Sequence, residues 1–149
     1  MADIKLKYAT AQSLTVSGLN SLSGGAYTTS NEVDNTSTLY VDVLVEILIA
    51  DISESGNQQV KVFAISSLDG TNFSGGFSDN PNNMIFVGSI PTKGDGSSGK
   101  WRSQAFSMAS AFRTLPPKFK LVFHNDNGAV ALASTGNSVQ YIGIHYQSV

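Results

Sequence analysis

Hydrophobic and polar residues alternate most regularly between residues 39 and 51, in the segment LYVDVLVEILIAD. Every odd position as far as Ile49 is apolar and most of these side chains are β-branched, whereas the even positions mix apolar, aromatic and acidic residues. Alternation with a period of two is typical of a strand, and a helix would scatter the valines around its surface. The segment therefore predicts a long strand whose odd-numbered residues face the core.

Two acids, Asp42 and Glu46, interrupt the even positions of this strand. Four residues at roughly 3.3 Å each separate them by about 13 Å. The paired carboxylates of glycosidases lie closer, at roughly 5–9.5 Å. The pattern therefore favours a solvated or subunit-facing sheet face over a catalytic pair.

Further segments alternate in the same way, and stretches rich in glycine, asparagine and serine separate them. The polar link ISESGNQ, residues 52–58, predicts an antiparallel hairpin between the first long strand and the next. Residues 107–115 predict one or two helical turns that Pro116 and Pro117 stop. The other predicted strands lie at residues 4–8, 13–18, within 26–37, and at 59–66, 84–90, 101–107, 119–124 and 138–147.

About eight strands joined by turn signals predict an all-β fold, an antiparallel β-sandwich of jelly-roll type with long Gly/Asn/Ser loops. The length of 149 residues suits one domain. Residues 1–149 are therefore expected to form a single sandwich. Within it, residues 1–25 form either an N-terminal arm or the first strands.

Composition excludes several classes of function. A net charge of -2 and a pI near 5.5 do not give the basic surface of a nucleic-acid-binding protein. No apolar run is long enough to cross a bilayer, and the start of the chain lacks the apolar region of a signal peptide. Synthesis as a soluble cytoplasmic chain is therefore expected, without nucleic-acid or membrane partners. The chain has no cysteine, which excludes disulfides, zinc thiolate sites and cysteine nucleophiles.

Candidate chemistry is sparse. His124 and His145 lack the spacing of a metal motif, and no nucleophile elbow or phosphate loop is present. The loops at residues 78–83 and 124–128 offer oxygen ligands for calcium, but turn formation explains their Asn and Asp residues more simply. Trp101 with Tyr40, Tyr141 and Tyr146 could form a carbohydrate platform, although such aromatics more often anchor a β core. We expect no catalytic residues, no metal and no cofactor.

Five sequence segments, taken in order, resemble a family of small virion proteins from tailed bacteriophages. They are DNTSTLYVDVLVEILI, SLDGTNF, FSMASAF followed by LPP, NDNG, and NSVQYIG. The resemblance covers the chain from about Ala26 to its C-terminus, whereas residues 1–25 match less well. It implies a head decoration, or cement, protein with a jelly-roll-like fold that binds an assembled shell, often as a trimer. The family pattern brings no catalytic residues.

The resulting expectation is a non-enzymatic virion protein on the capsid surface, with the major capsid protein or another virion protein as partner and a homotrimer as the favoured oligomer. Ile4, Leu6 and Tyr8, together with a sheet edge, are the candidate partner contacts. The alternative for these three residues is an ordinary first strand tucked into the sandwich. Alternative functions are a tail, neck or fibre-base component and a carbohydrate-binding module.

Overall fold

Two antiparallel sheets pack against each other in a computed structural model, which describes residues 3–50, 52, 58–74, 83–92, 100–103 and 105–148. Strands make up 50% of the structure and helix 5%. The predicted all-β sandwich is therefore confirmed. The strands are β1 (Ile4–Tyr8), β2 (Gln12–Ser13), β3 (Tyr27–Thr29), β4 (Val33–Asp34), β5 (Asp42–Ala50), β6 (Gln59–Ser67), β7 (Ile85–Pro91), β8 (Lys100–Arg102), β9 (Phe106–Ser107), β10 (Lys118–Asp126) and β11 (Ser138–Ser148), and the helix is α1 (Met108–Phe112).

The strand order is that of a jelly roll. The first sheet runs β1-β11-β5-β8, with β2 on β11 and β9 on β5, and the second runs β3-β10-β6-β7, with β4 on β10. Three strands are interrupted, because β1 and β2 share one partner, as do β3 and β4, and β8 and β9. Counting each of these pairs once leaves eight strands, four in each sheet.

The core lies between the two sheets. On β5 the odd positions are completely buried, as the alternation predicts. On β10, Phe119, Leu121 and Phe123 form the matching inner face and are equally inaccessible. The buried residues of β5 are Val43, Val45, Ile47 and Ile49.

The hairpin predicted between the first two long strands is wrong. β5 pairs with β11 on one edge and with β8 and β9 on the other, so neither edge is left for β6. β6 lies instead in the second sheet, between β10 and β7. A polar link containing glycine suits a crossing between sheets as well as a hairpin, so the link did not distinguish the two. Of that link, residues 53–57 lie outside the described residues.

The helical turn predicted before the two prolines is confirmed as α1. The Ser107 hydroxyl accepts the Ser110 N–H at 3.0 Å and caps its first turn. The helix ends at Arg113, whose φ of 66° is left-handed, three residues before Pro116. Met108 is buried in the core, and Phe112 packs against the core from the same helix.

The strand predicted at residues 101–107 is broken in the middle. Ser103 donates its N–H to the Ile47 carbonyl at 2.8 Å, and its hydroxyl accepts the Ile47 N–H at 2.9 Å. A side chain thus replaces a backbone group in the ladder, which separates β8 from β9. No helix among the described residues is long and apolar enough to span a membrane.

Candidate functional site: an exposed two-stranded edge

One end of the first sheet continues as only two strands. β1 pairs with β11 from Tyr8 opposite Ile144 to Ile4 opposite Ser148. On its other side β11 pairs with β5 only as far as Ile144 opposite Asp42. Beyond that point β1 and β11 have only each other as strand partners within the described ranges. We call this pair, Ile4–Tyr8 with residues 144–148, the β1–β11 ribbon.

The ribbon has an apolar face open to solvent. Ile4, Leu6 and Tyr8 alternate along β1 with exposed fractions of 73%, 59% and 62%. Tyr146 lies directly opposite Leu6 and is 64% exposed. Opposed residues of an antiparallel pair share a face, so the four side chains form one surface, the ribbon apolar face. Such a cluster at a sheet edge is unusual for residues that need no partner.

The opposite face of the ribbon carries cations. Lys5 lies opposite Gln147 and Lys7 lies opposite His145. Both lysines are exposed. Neither forms an ion pair with any residue that the structure describes. The ribbon is therefore apolar on one face and positively charged on the other.

The free edge of β1 belongs to the same three apolar residues. The Ala9 N–H donates to the Gly143 carbonyl at 2.8 Å, which fixes the phase of the ladder. In an antiparallel pair hydrogen-bonded and non-hydrogen-bonded positions alternate. Lys7 and Lys5 therefore direct their backbone groups to β11, whereas Ile4, Leu6 and Tyr8 direct theirs outwards. These three residues present apolar side chains and open N–H and C=O groups together.

Neither a family model nor a curated protein sequence matches this chain significantly.

The ribbon holds the candidate contacts inferred from sequence. Ile4, Leu6 and Tyr8 lie on β1 as predicted, and they are exposed rather than tucked into the core. Their contact with a partner stays a prediction. Sequence reasoning missed Tyr146 as a member of this surface. The alternation of residues 138–147 places Tyr146 on a face, but only the register with β1 brings it next to Leu6.

The two acids of β5 have structural roles. Asp42 accepts hydrogen bonds from the N–H groups of Val43 and Ala109 at 2.7 and 2.8 Å, and from the Ser107 hydroxyl at 2.7 Å. It thereby ties β5 to the start of α1. Glu46 accepts a 2.7 Å hydrogen bond from the Gln140 amide on β11. The Asp42 side chain thus serves the helix, and the Glu46 side chain links the two neighbouring strands of the sheet.

The two histidines lie in different sheets, His124 on β10 and His145 on β11. The His124 ring stacks on Tyr27 with centroids 4.2 Å apart. Burial lowers the pKa of His124 below its ordinary value, although the Asp126 carboxylate acts in the opposite direction. Asp126 itself pairs with Lys61 at 2.7 Å. No group of three metal-ligating side chains occurs in the part of the chain that the structure describes.

The aromatic residues considered for a carbohydrate platform are divided between core and surface. Tyr40 and Tyr141 are partly buried and pack against the core. The Tyr40 ring covers Gly143, where an added Cβ would lie 2.3 Å from it. Tyr146 is exposed on the ribbon apolar face. The side chain of Trp101 lies outside the described residues, as do residues 78–82 of the loop considered for calcium.

The SLDGTNF turn is ordered by one carboxylate. Asp69 accepts hydrogen bonds from the Thr71 and Asn72 N–H groups at 2.8 and 2.9 Å, and from the Ser67 hydroxyl at 2.8 Å. These bonds, first of all the one from Asn72, hold the pKa of Asp69 far below its usual range. The turn places Phe73 against a small apolar cluster outside the second sheet, with the Lys120 ammonium 4.3 Å from the ring centroid.

Asp69→Asn should lower the melting temperature at pH 7, because the amide replaces a charged acceptor of several hydrogen bonds. A carboxyl whose pKa is depressed by folding stabilises the protein above the unfolded-state pKa, about 4. That stabilisation is lost as the pH falls towards the folded-state pKa. The difference in melting temperature between wild type and Asp69→Asn should therefore narrow below about pH 4.

Thermal unfolding monitored by circular dichroism measures both melting temperatures between pH 7 and pH 3, with the exposed Asp3→Asn as control. A difference in melting temperature that stays constant from pH 7 to pH 3 would contradict this role of Asp69.

Proposed function

We propose that this chain is a non-enzymatic structural protein of a tailed-bacteriophage virion, which binds the assembled capsid as a decoration or cement protein. The observation that carries the proposal is the β1–β11 ribbon, with its apolar face and open edge. The resemblance of the segment from Ala26 onwards to small virion proteins supports the same conclusion. The major capsid protein is the proposed partner.

The ribbon suits attachment to a preformed surface. A two-stranded ribbon is marginal by itself in water, and a partner that covers its apolar face and pairs its edge would stabilise it. The jelly roll behind it provides a rigid body that holds the ribbon in a fixed direction. Each site on a symmetric shell repeats, so contacts of modest strength between neighbouring copies add to the affinity. We propose a trimer as the associated form, as the family resemblance implies.

Binding to shells that lack the chain tests this function. Purified protein is mixed with capsids assembled from the shell protein of the same virus, and the shells are pelleted. We expect saturable co-sedimentation at a fixed ratio to shell subunits, because every equivalent lattice position offers the same site. The matched sample contains isolated tails in place of shells. Protein that pellets with tails and not with shells would overturn the decoration role in favour of a tail or neck component.

A further inference from the structure

The charges on the β1–β11 ribbon restrict what can occupy its open edge. Resting on the proposed function, we propose that β1 receives an extended segment of the shell partner in which apolar residues alternate with acidic ones. A second copy of β1 does not fit this edge. The proposal follows from the phase of the ladder, the faces of the ribbon and the two lysines that form no ion pair with any described residue.

The backbone groups of β1 determine that the occupant is an extended strand. Ile4, Leu6 and Tyr8 direct their N–H and C=O groups away from β11, because the Ala9–Gly143 bond assigns the intervening residues to the inner ladder. No described strand occupies that outer side of β1. An added strand would therefore find hydrogen-bonding groups at every second residue across the whole of β1. This accounts for an extended occupant and not for its sequence.

Side chains supply the sequence preference. Residues of an added antiparallel strand that lie opposite Ile4, Leu6 and Tyr8 share the ribbon apolar face, so apolar residues fit there. Residues opposite Lys5 and Lys7 share the charged face, where carboxylates fit. The occupant thus alternates apolar and acidic positions over the length of β1.

The lysines of β1 differ from the described lysines of the sandwich body. Lys61 pairs with Asp126 at 2.7 Å, and Lys118 pairs with Glu32 at 2.9 Å. Lys120 lies over the Phe73 ring. Lys5 and Lys7 have no such partner within the described chain, although they stand side by side on an exposed face. Two neighbouring cations that have no counter-charge among the described residues are complementary to an acidic strand.

Self-pairing of β1 conflicts with the same charges. An antiparallel pair of two copies centred on Leu6 would bring the apolar residues together on one face. It would also place Lys5 of each copy opposite Lys7 of the other, and directly opposed like charges destabilise a pair. A shift by one residue would remove that clash only by setting lysines among the apolar side chains. Lysines at a sheet edge are a known means of preventing such association.

Two capped synthetic peptides test the preference, Val-Glu-Val-Glu-Val-Glu-Val and its twin with lysine in place of glutamate. Binding to the full chain is followed by NMR through the amide signals of Ile4, Leu6 and Tyr8. We expect the acidic peptide to bind at least about tenfold more tightly than the basic one. The double variant K5E/K7E should reverse the preference, and added salt should weaken both pairings. A double variant that still prefers the acidic peptide, or wild type that binds both equally, would overturn the proposal.

Shell binding separates this inference from the proposed function. If the peptide preference reverses and the wild-type chain does not pellet with shells, the decoration role fails while the edge chemistry stands. If the wild-type chain pellets with shells and the peptide preference does not reverse, the inference fails by itself. Concentration-dependent dimers of the wild type, linked between two copies of β1 by crosslinking, would also overturn it.

Discussion

Asn125→Leu is expected to lower the free energy of unfolding by about 3 kcal/mol. Asn125 is completely buried at the end of β10. Its amide donates to the Leu22 and Val130 carbonyls at 2.7 and 2.9 Å, and its carbonyl accepts from the Asn127 amide. The network continues from Asn127 to the buried Thr92 hydroxyl. It fastens three loops to the edge of the core.

Leucine has the same number of side-chain heavy atoms and the same branching as asparagine, but it is larger and forms none of its hydrogen bonds. The Leu22 carbonyl would keep a bond from the Leu132 N–H, whereas the Val130 carbonyl and the Asn127 amide would lose their partners. Each unsatisfied buried group costs about 1–3 kcal/mol. Urea unfolding at pH 7 measures the difference. The exposed Asn31→Leu serves as control and should stay within about 0.5 kcal/mol of wild type. An equal loss in the free energy of unfolding for Asn125→Leu and Asn31→Leu would contradict a stabilising role for the network.

The variant with Ile4→Thr, Leu6→Thr and Tyr8→Thr should lose shell binding by about a hundredfold. Threonine keeps the strand preference of β1 and its open backbone edge, but it removes most of the ribbon apolar face. All three side chains are exposed, so the free energy of unfolding should change little. Co-sedimentation with shells that lack the chain measures the effect.

Leu68→Thr is the matched control for this variant. Leu68 is 84% exposed, yet it lies in the loop after β6 of the second sheet and not on the ribbon. The Leu68→Thr variant should bind shells as tightly as wild type does. If the β1 variant binds normally and Leu68→Thr does not, the contact surface lies on the second sheet and the ribbon assignment is wrong.

Local pattern was enough to predict the helical turn and most of the strands. The strand predicted at residues 13–18 is only β2, and the one predicted within residues 26–37 is divided into β3 and β4. The alternation around Val43 and Val45 identifies the inner face of β5, since one face of a sandwich strand must be apolar throughout. The pairing of the strands could not be predicted in this way. One partner of β5 is β11, almost a hundred residues further along the chain, and no feature of either strand alone encodes that choice. The break at Ser103 also gave no signal, because a serine between Trp101 and Ala105 suits an uninterrupted strand.

The candidate site was also predictable only in part, because local alternation is visible in the sequence and strand pairing is not. The sequence shows that Ile4, Leu6 and Tyr8 alternate with lysines, which suffices to propose a contact strand. Tyr146 joins them only through the register of β1 with β11. The direction of the open backbone edge likewise depends on one hydrogen bond, from Ala9 to Gly143. These properties arise from long-range pairing, which a strand sequence does not specify.

Immunogold labelling of purified virions tests the central claim most directly. Intact particles of the phage to which the proposal assigns the chain are incubated with an antibody against the folded protein and viewed by electron microscopy. A decoration protein repeated over the lattice predicts dense gold across the head and none on the tail. Gold confined to the tail or neck would contradict the decoration role. Absence of both gold and the chain itself from intact particles would contradict any role in the virion.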